Sequence, residues 1–340
     1  MTGSTTLSCI ALLALAAATR AQPLPGTLPI EDPRNFVTVG APGNPAFRSQ
    51  RDPGSGSEGR GSLDYTFNIA RTELTVSQWI DFANAYLPYA TGGPQNVWLR
   101  GGGYLSYDAV NRRYSMTPGA ERTAIETSWE LAARYCNWLT NDRRSDAAAF
   151  QTGAYDTSTF YSIPGVGPQH NTSRLPTARY WIPSSSEWLK ATYYDPNRFG
   201  PNAGGWWLAP TSSDVRPISG LPEDGGQTSR GIDWLALPVG SYPTVQSPWG
   251  LLDVSGSVRE WTSGNLPNLV RIAGSSSFSS DVLQELPEYA FIGGAPDLSL
   301  AGVRIATVPS ANSGVVLVMA SLLTLRRRRS RHRSSQAGKR

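Results

Sequence analysis

The sequence predicts a single α+β domain with few helices, short strands and much irregular chain. Three segments combine a helix-capping pattern with an apolar stripe at helical spacing, whereas the other periodic segments alternate as short strands. Gly and Pro number 34 and 26 among 340 residues, which indicates many turns and loops. The 11 Trp residues supply large apolar anchors for such a loop-rich body.

Each predicted helix begins with a capping box, in which a Ser or Thr and a Gln or Glu three residues later satisfy backbone N–H groups at the helix start. The boxes are Thr75 with Gln78, Thr127 with Glu130, and Ser184 with Glu187. Apolar residues follow at helical spacing: Trp79, Phe82 and Tyr86, then Leu131, Tyr135, Trp138 and Leu139, then Trp188, Leu189, Ala191 and Tyr194. The spacing predicts one buried stripe on each helix.

Strand-like alternation is confined to short pieces. They cover 36–39, 63–69, 232–239, 268–273 and 301–307. The chain contains no repeat with a period of 20–50 residues and no stretch within 62–307 that resembles an interdomain linker. We therefore expect one domain over 36–307, preceded by a linker at 22–35.

The amino terminus is typical of a secretory signal peptide. An apolar run at 10–18 is followed by Thr19, Arg20 and Ala21, a small-x-small pattern before Gln22. The pattern predicts that residues 1–21 are removed on export. The alternative is a short core helix at the extreme end of the chain.

The carboxyl terminus, 308–340, combines a Pro, an apolar run at 314–325 and an Arg-rich tail at 326–340. The apolar run is shorter than the ~20 residues that cross a bilayer. The arrangement resembles the bacterial PEP-CTERM sorting signals, which implies recognition by a membrane protease and a place at the cell surface. A retained membrane anchor and a solvated basic tail are the alternatives.

The positive net charge of +4 belongs to the two ends of the chain. Nine of the 30 basic residues lie in 1–21 or 326–340, which leaves 21 basic against 26 acidic residues in 22–325. A body with an acidic excess gives no indication of nucleic-acid binding. With Cys9 in the leader, Cys136 is the one cysteine of the mature body, so no intramolecular disulfide is expected.

Six segments carry motifs that occur in a fixed order. They are IARTELTVSQW (69–79), TSWELAARYCNW (127–138), YWIPSSSEW (180–188), GLLDVSGSVREW (250–261), RIAGSSS (271–277) and GVRI (302–305). Together they resemble the formylglycine-generating enzymes, or sulfatase-modifying factors (the FGE-sulfatase domain family). The resemblance covers about 36–307 and implies the family's variant of the C-type lectin fold.

The resemblance implies a structural calcium ion at 253–260. The ligands that the resemblance implies are the side chains of Asp253 and Glu260 and the carbonyl groups of Gly256 and Val258. Carboxylates mixed with backbone carbonyls in an irregular loop suit calcium, which takes six to eight oxygens. The alternative is an internally bonded turn, in which Arg259 pairs with one of the two acids.

The family's oxidase chemistry uses two cysteines late in the domain, which bind copper as thiolates. The corresponding stretch between Ser275 and Gly302 has no cysteine, so neither copper binding nor formylglycine generation is expected, and no catalytic residue is assigned. Cys136 lies in a helical motif and is expected to be a buried apolar residue. A branch of the fold binds iron through three histidines, but His170 stands alone in the body, so iron is not expected either. His170 is either a loop histidine or a lone catalytic group.

Two functions remain open. The first is a non-catalytic binding or structural module of the cell envelope, with a glycan or protein partner. Candidate contact residues are the aromatic side chains Trp206, Trp207, Trp234, Tyr289 and Phe291. The second is an enzyme of unrecognised type that uses the family's substrate groove with Arg271 and Arg304. An enzyme should have a pocket with convergent titratable groups, and a binding module should have an exposed aromatic patch.

Overall fold

The computed structural model describes residues 23–90, 104–163, 167–232, 237–264, 270–295 and 301–309. The helices in this part of the chain are α1 (Val76–Tyr86), α2 (Trp129–Thr140), α3 (Ala148–Gln151) and α4 (Ser185–Tyr193). The strands are β1 (Phe36–Val39), β2 (Phe67–Ala70), β3 (Leu105–Asp108), β4 (Arg113–Met116), β5 (Tyr161–Ile163), β6 (Gly167–Gln169), β7 (Tyr180–Trp181), β8 (Tyr194–Asp195), β9 (Gly205–Trp206), β10 (Glu260–Ser263), β11 (Val270–Ala273), β12 (Phe291–Gly293) and β13 (Ala306–Thr307).

The α+β class is confirmed, with few helices, short strands and long irregular connections. The strand predicted at 36–39 is β1, whereas the predictions at 63–69 and 301–307 shrink to β2 and β13. After α4, the regular elements of the described chain are 3-10 turns and short strands. The predicted strand at 232–239 lies partly outside the described residues, and its described end is not a strand.

Two of the three predicted capping boxes are confirmed. Thr75 with Gln78 begins α1 and Ser184 with Glu187 begins α4, with both reciprocal hydrogen bonds present in each. The box predicted at Thr127 is wrong by one residue, because Ser128 is the N-cap of α2. Thr127 instead forms a β-bridge with Ala301.

Two antiparallel sheets organise the body. Strands β1, β2, β13 and β7 form one sheet in that order, so the last strand of the domain, β13, lies between β2 and β7. Strands β10, β11 and β12 form the second sheet, with β11 in the centre. The remaining strands pair two by two as β3 with β4, β5 with β6, and β8 with β9. The closing segment 301–307 therefore contacts both the beginning and the middle of the chain.

The predicted helical stripes form an aromatic core between α1 and α2. The Trp79 ring stacks on Tyr135 with centroids 5.2 Å apart, and Phe82 packs edge-on against the same Tyr135 at 5.4 Å. Such offset and edge-on pairs are favoured by the ring quadrupole. The indole N–H of Trp261 donates to the Thr127 carbonyl at 2.7 Å, which ties β10 to the start of α2.

The described part of the predicted linker at 22–35 packs against the body. Ile30 is buried in the core, and the carbonyl of Leu28 accepts a hydrogen bond from the Gln78 side chain at 3.0 Å. The carbonyl of Gly26 accepts from the hydroxyl of Thr75 at 2.8 Å. These contacts attach the stretch to the start of α1.

A buried arginine connects the closing segment to the two sheets. Arg304 has no exposed surface, and its Nη2 donates to Glu260 Oε1 of β10 at 2.7 Å. Its guanidinium also donates to the carbonyls of Ala70 and Leu252, each at 3.0 Å. Glu260 accepts in addition from the indole N–H of Trp188 in α4 at 2.8 Å. The ion pair between Arg304 and Glu260 therefore connects the closing segment with β2, β10 and α4.

None of the helices within the described residues has the length and apolar content needed to cross a bilayer. The predicted signal peptide, 1–21, and the apolar run at 314–325 lie outside the described residues.

Substitution of Arg304 with Met should destabilise the fold strongly. The change leaves the Glu260 carboxylate buried without its counter-charge, which typically costs about 3–5 kcal/mol in unfolding free energy. Urea denaturation measures the loss. The matched control is Arg144→Gln, which removes an exposed pair with Asp146 and should leave the transition midpoint unchanged. An Arg304→Met protein as stable as the control would contradict this role of the ion pair.

Candidate functional site

The loop 253–260 is held in one conformation by serine side chains and by left-handed backbone. The amide of Gly256 donates to the Ser275 hydroxyl at 2.9 Å, and the amide of Ser257 donates to Ser229 at 2.7 Å. Gly256 has φ +82°, and a Cβ there would lie 2.6 Å from Ser229 Oγ. Only glycine fits this position, because both the backbone angle and the close approach exclude a side chain.

The two predicted side-chain ligands of calcium occupy different environments. Both oxygens of Glu260 accept hydrogen bonds, from Arg304 and, at Oε2, also from Trp188. Asp253 is half-buried and accepts from the Gly240 amide at 2.6 Å through Oδ2. Burial raises the pKa of Asp253 to about 6, against the opposing effects of this hydrogen bond and of Arg304.

Glu73 adds a third carboxylate that the sequence analysis did not single out. It is fully buried, lies 3.9 Å from Arg304, and neither of its side-chain oxygens has a hydrogen-bond partner. Burial and then the charge of Asp253 raise the pKa of Glu73 well above its ordinary value. Three carboxylates thus surround one guanidinium, which leaves a local surplus of negative charge.

The fit to calcium can be judged from this arrangement. The carbonyls of Gly256 and Val258 accept no hydrogen bond from the described residues, so they are available as ligands. Asp253 and the negative surplus also suit a cation. Glu260 fits less well, because Arg304 and Trp188 already engage both of its oxygens. Within the described chain, no group of three or more His, Cys, Asp or Glu side chains is arranged around a common metal position.

The ion pair between Arg230 and Glu285 contacts the loop through Ser255. The Ser255 hydroxyl donates to Glu285 Oε1 at 2.5 Å, and Arg230 Nε donates to the same oxygen at 2.9 Å. Burial raises the pKa of Glu285, while Ser255 and Arg230 oppose the rise. Glu285 comes from the late stretch in which the family's cysteine pair would lie. Hydroxyl, carboxylate and guanidinium groups, rather than thiols, therefore hold this stretch against the loop.

The serines of 275–279 also stabilise the loop rather than forming a catalytic group. Ser275 accepts from Gly256, and Ser279 donates to Gln284, which also accepts from Arg259 at 2.9 Å. The predicted alternative in which Arg259 pairs with Asp253 or Glu260 does not match this contact. No histidine contacts these serines among the described residues.

The single histidine and cysteine of the described body are both buried. His170 contacts Glu130 through Nε2 and stacks on Phe160 with ring centroids 5.0 Å apart. Cys136 has no exposed surface and is a free thiol. Burial raises the pKa of the Cys136 thiol. A neutral, buried thiol is neither a nucleophile nor a metal ligand.

The aromatic residues predicted as exposed contacts are mostly packed. Trp206 lies edge-on against Phe47 and Tyr194, and Phe291 lies edge-on against Trp188. The other candidates are Trp207, whose indole donates to Asp195, Tyr289, which is 37% exposed, and Trp234, which lies outside the described residues. The sequence could not separate core from surface Trp, because both occur in loop segments.

A small cavity adjoins the loop. Its lining consists of Thr211, Gln227, Tyr242, Val245, Asp253, Val254 and Ser255. Asp253 and Tyr242 are its titratable residues, and Tyr242 donates its hydroxyl proton to the Gly220 carbonyl. The cavity lining has one carboxylate, whereas the usual glycoside hydrolase site has two.

Comparisons with known proteins agree with the motifs. The model of the sulfatase-modifying factor enzyme 1-like domain, FGE-sulfatase, matches residues 29–284. Treponema denticola variable protein 1 is 14% identical with a TM-score of 0.45, over 81% of this chain and 95% of that chain. PvdO from Pseudomonas aeruginosa is 16% identical with a TM-score of 0.42, over 81% of this chain and 94% of that chain. No curated protein matches significantly. Because the family model covers well over half of its length, the chain belongs to the FGE-sulfatase family of sulfatase-modifying factor enzyme 1-like domains.

Proposed function

We propose that this chain is an exported, surface-anchored member of the FGE-sulfatase family that acts as a non-catalytic binding or structural module of the cell envelope. The observation that carries the proposal is the chemistry of the late stretch 270–295. Its contacts with the 253–260 loop include those of Ser275, Ser277, Gln284 and Glu285, and the stretch contains no cysteine. Export and anchoring are supported by the two ends of the sequence.

The proposal rests on a difference in ligand chemistry. Copper(I) selects soft thiolates, whereas a serine hydroxyl is hard and remains protonated at neutral pH. Cys136 cannot supply the thiolate from elsewhere, since it is buried and its pKa is raised. The family's frame is thus retained while the groups of its oxidase reaction are missing.

Surface loops on this frame offer the binding surface. Phe199 is 70% exposed, and Phe278 and Tyr289 are exposed on the stretch that carries the serine network. Loops fixed by hydrogen bonds to a stiff scaffold are the usual place for recognition. An envelope glycan or protein is the proposed partner class.

Calcium is proposed as a structural ion at the 253–260 loop. The negative surplus around Arg304 and the unpaired carbonyls of Gly256 and Val258 support it. These carbonyls and Asp253 would hold the ion. Glu260 is a weaker candidate ligand, because Arg304 already donates to its carboxylate. It would fix the loop and take no part in a reaction.

The purified protein should not convert the cysteine of a sulfatase-derived peptide to formylglycine, even with copper(I) supplied. Mass spectrometry of the peptide measures conversion, and an active family member is the positive control. The same protein should sediment with insoluble envelope polymers. Conversion of the peptide would overturn the non-catalytic role.

Export should leave a mature amino terminus at or near Gln22. Mass spectrometry of the protein recovered from the envelope identifies the terminus and shows whether the tail beyond 308 has been removed. Recovery of the protein in the cytoplasm with residues 1–21 intact would contradict export.

Calcium should raise the melting temperature of chelator-treated protein, and Asp253→Asn should remove the rise. A ligand at 100 times its Kd stabilises a fold by about 2.7 kcal/mol, which calorimetry detects. The control is Asp64→Asn, which makes the same charge change at an exposed side chain without a partner in the described chain. An equal calcium response in both variants, or none in the unsubstituted protein, would exclude the site.

A further inference from the structure

Two arginines near the surface have no carboxylate partner among the described residues. Arg60 comes from the loop 48–60, and Arg271 comes from β11, the central strand of its sheet. Both lie against Gly56: Arg60 Nε donates to the Gly56 carbonyl at 2.6 Å, and a Cβ on Gly56 would lie 3.3 Å from Arg271 Nη1. Gly56 itself is exposed, so both arginines approach a residue at the surface.

Four polar groups around this position lack partners. Nη1 of Arg60 and Nε of Arg271 are buried donors without an acceptor. The hydroxyls of Ser55 and Ser57, on either side of Gly56, are buried and equally unpaired, and Ser57 has no exposed surface. Each buried donor without an acceptor costs free energy. The unpaired groups are all donors or hydroxyls able to donate.

The charges at this position favour an anion. Burial, and then the charge of Arg271, lower the pKa of Arg60 below its ordinary value. The loop has two acids, and neither pairs with Arg60 or Arg271: Glu58 pairs with Arg48 at 2.8 Å, and Asp52 Oδ1 accepts from the Gly54 amide at 3.2 Å. Two guanidinium groups that repel each other beside unpaired hydroxyls form a site that lacks an anion.

We propose that Arg60, Arg271, Ser55 and Ser57 bind a tetrahedral oxyanion, the sulfate or phosphate ester group of the envelope partner. Guanidinium groups bind such oxyanions through paired, charge-assisted hydrogen bonds, and the three free oxygens of either ester can accept from both guanidinium groups and from a hydroxyl. A carboxylate offers only two oxygens to the same donors. The inference rests on the proposed binding role and names the chemistry that the partner presents.

Isothermal titration of the purified protein with glucose 6-sulfate and glucose 6-phosphate tests the site at constant chloride concentration. Both esters should bind saturably, and the one that binds more tightly indicates whether the partner carries sulfate or phosphate esters. Glucuronate should bind at least about tenfold more weakly than the better ester. Arg271→Gln and Ser57→Ala should each weaken binding, Arg271→Gln by about tenfold or more. Arg51→Gln, which removes an exposed charge from the same loop, should change the affinity by less than about twofold.

The stability of the variants separates binding from a purely structural role. Without an oxyanion, Arg271→Gln and Ser57→Ala should melt at or above the temperature of the unsubstituted protein, because they remove repulsion or an unpaired hydroxyl. No saturable binding of either ester, or an equal loss in Arg51→Gln, would overturn the site while leaving the proposed function intact. Conversion of the cysteine peptide would instead overturn the proposed function and leave ester binding unaffected.

Discussion

Arg304 reaches from the closing segment into the middle of the domain, where its guanidinium donates to Glu260 and to the carbonyls of Ala70 and Leu252. A charge buried this deeply is tolerated only when it is paired and its remaining donors are satisfied. Since Trp188 donates to the same carboxylate, the pair joins α4, β2, β10 and the last segment. The loop 253–260 ends at Glu260, so its carboxyl-terminal end is fixed by this interaction.

The surplus charges near Arg304 and at Gly56 have opposite signs. Glu73 and Asp253 outnumber Arg304 near the loop, whereas Arg60 and Arg271 face each other without an acid at Gly56. Protonation of Glu73, whose pKa is raised well above its ordinary value, reduces the first surplus. A guanidinium cannot be relieved in that way, because it keeps its proton throughout the accessible pH range. Protonation can therefore neutralise charge at the loop, where calcium is proposed, but not at Gly56, where an anion is proposed.

The sequence predicted those parts of the fold that local chemistry determines. The boxes at Thr75 and Ser184 begin helices as expected, because capping depends on residues only three positions apart. Thr127 failed as a cap because its backbone pairs with Ala301, a contact across most of the chain that no local pattern contains. The arginine pair at Gly56 was missed for the same reason, since Arg60 and Arg271 belong to segments far apart in sequence. Glu73 follows Arg71 and Thr72, so no apolar run marked it as a buried charge.

The groups that stabilise the frame are separate from the positions of the family's cysteine pair, which is compatible with the proposed non-catalytic role. The ion pair of Arg304, the capped helices and the aromatic core contain none of the late positions at which thiolates would bind copper. Here Ser255, Arg230 and Glu285 connect the late stretch to the loop through charge-assisted hydrogen bonds, which are about twice as strong as neutral ones. A stretch fixed in this way is suited to presenting a constant surface, whereas a thiolate site requires its sulfur atoms to remain accessible to copper and substrate.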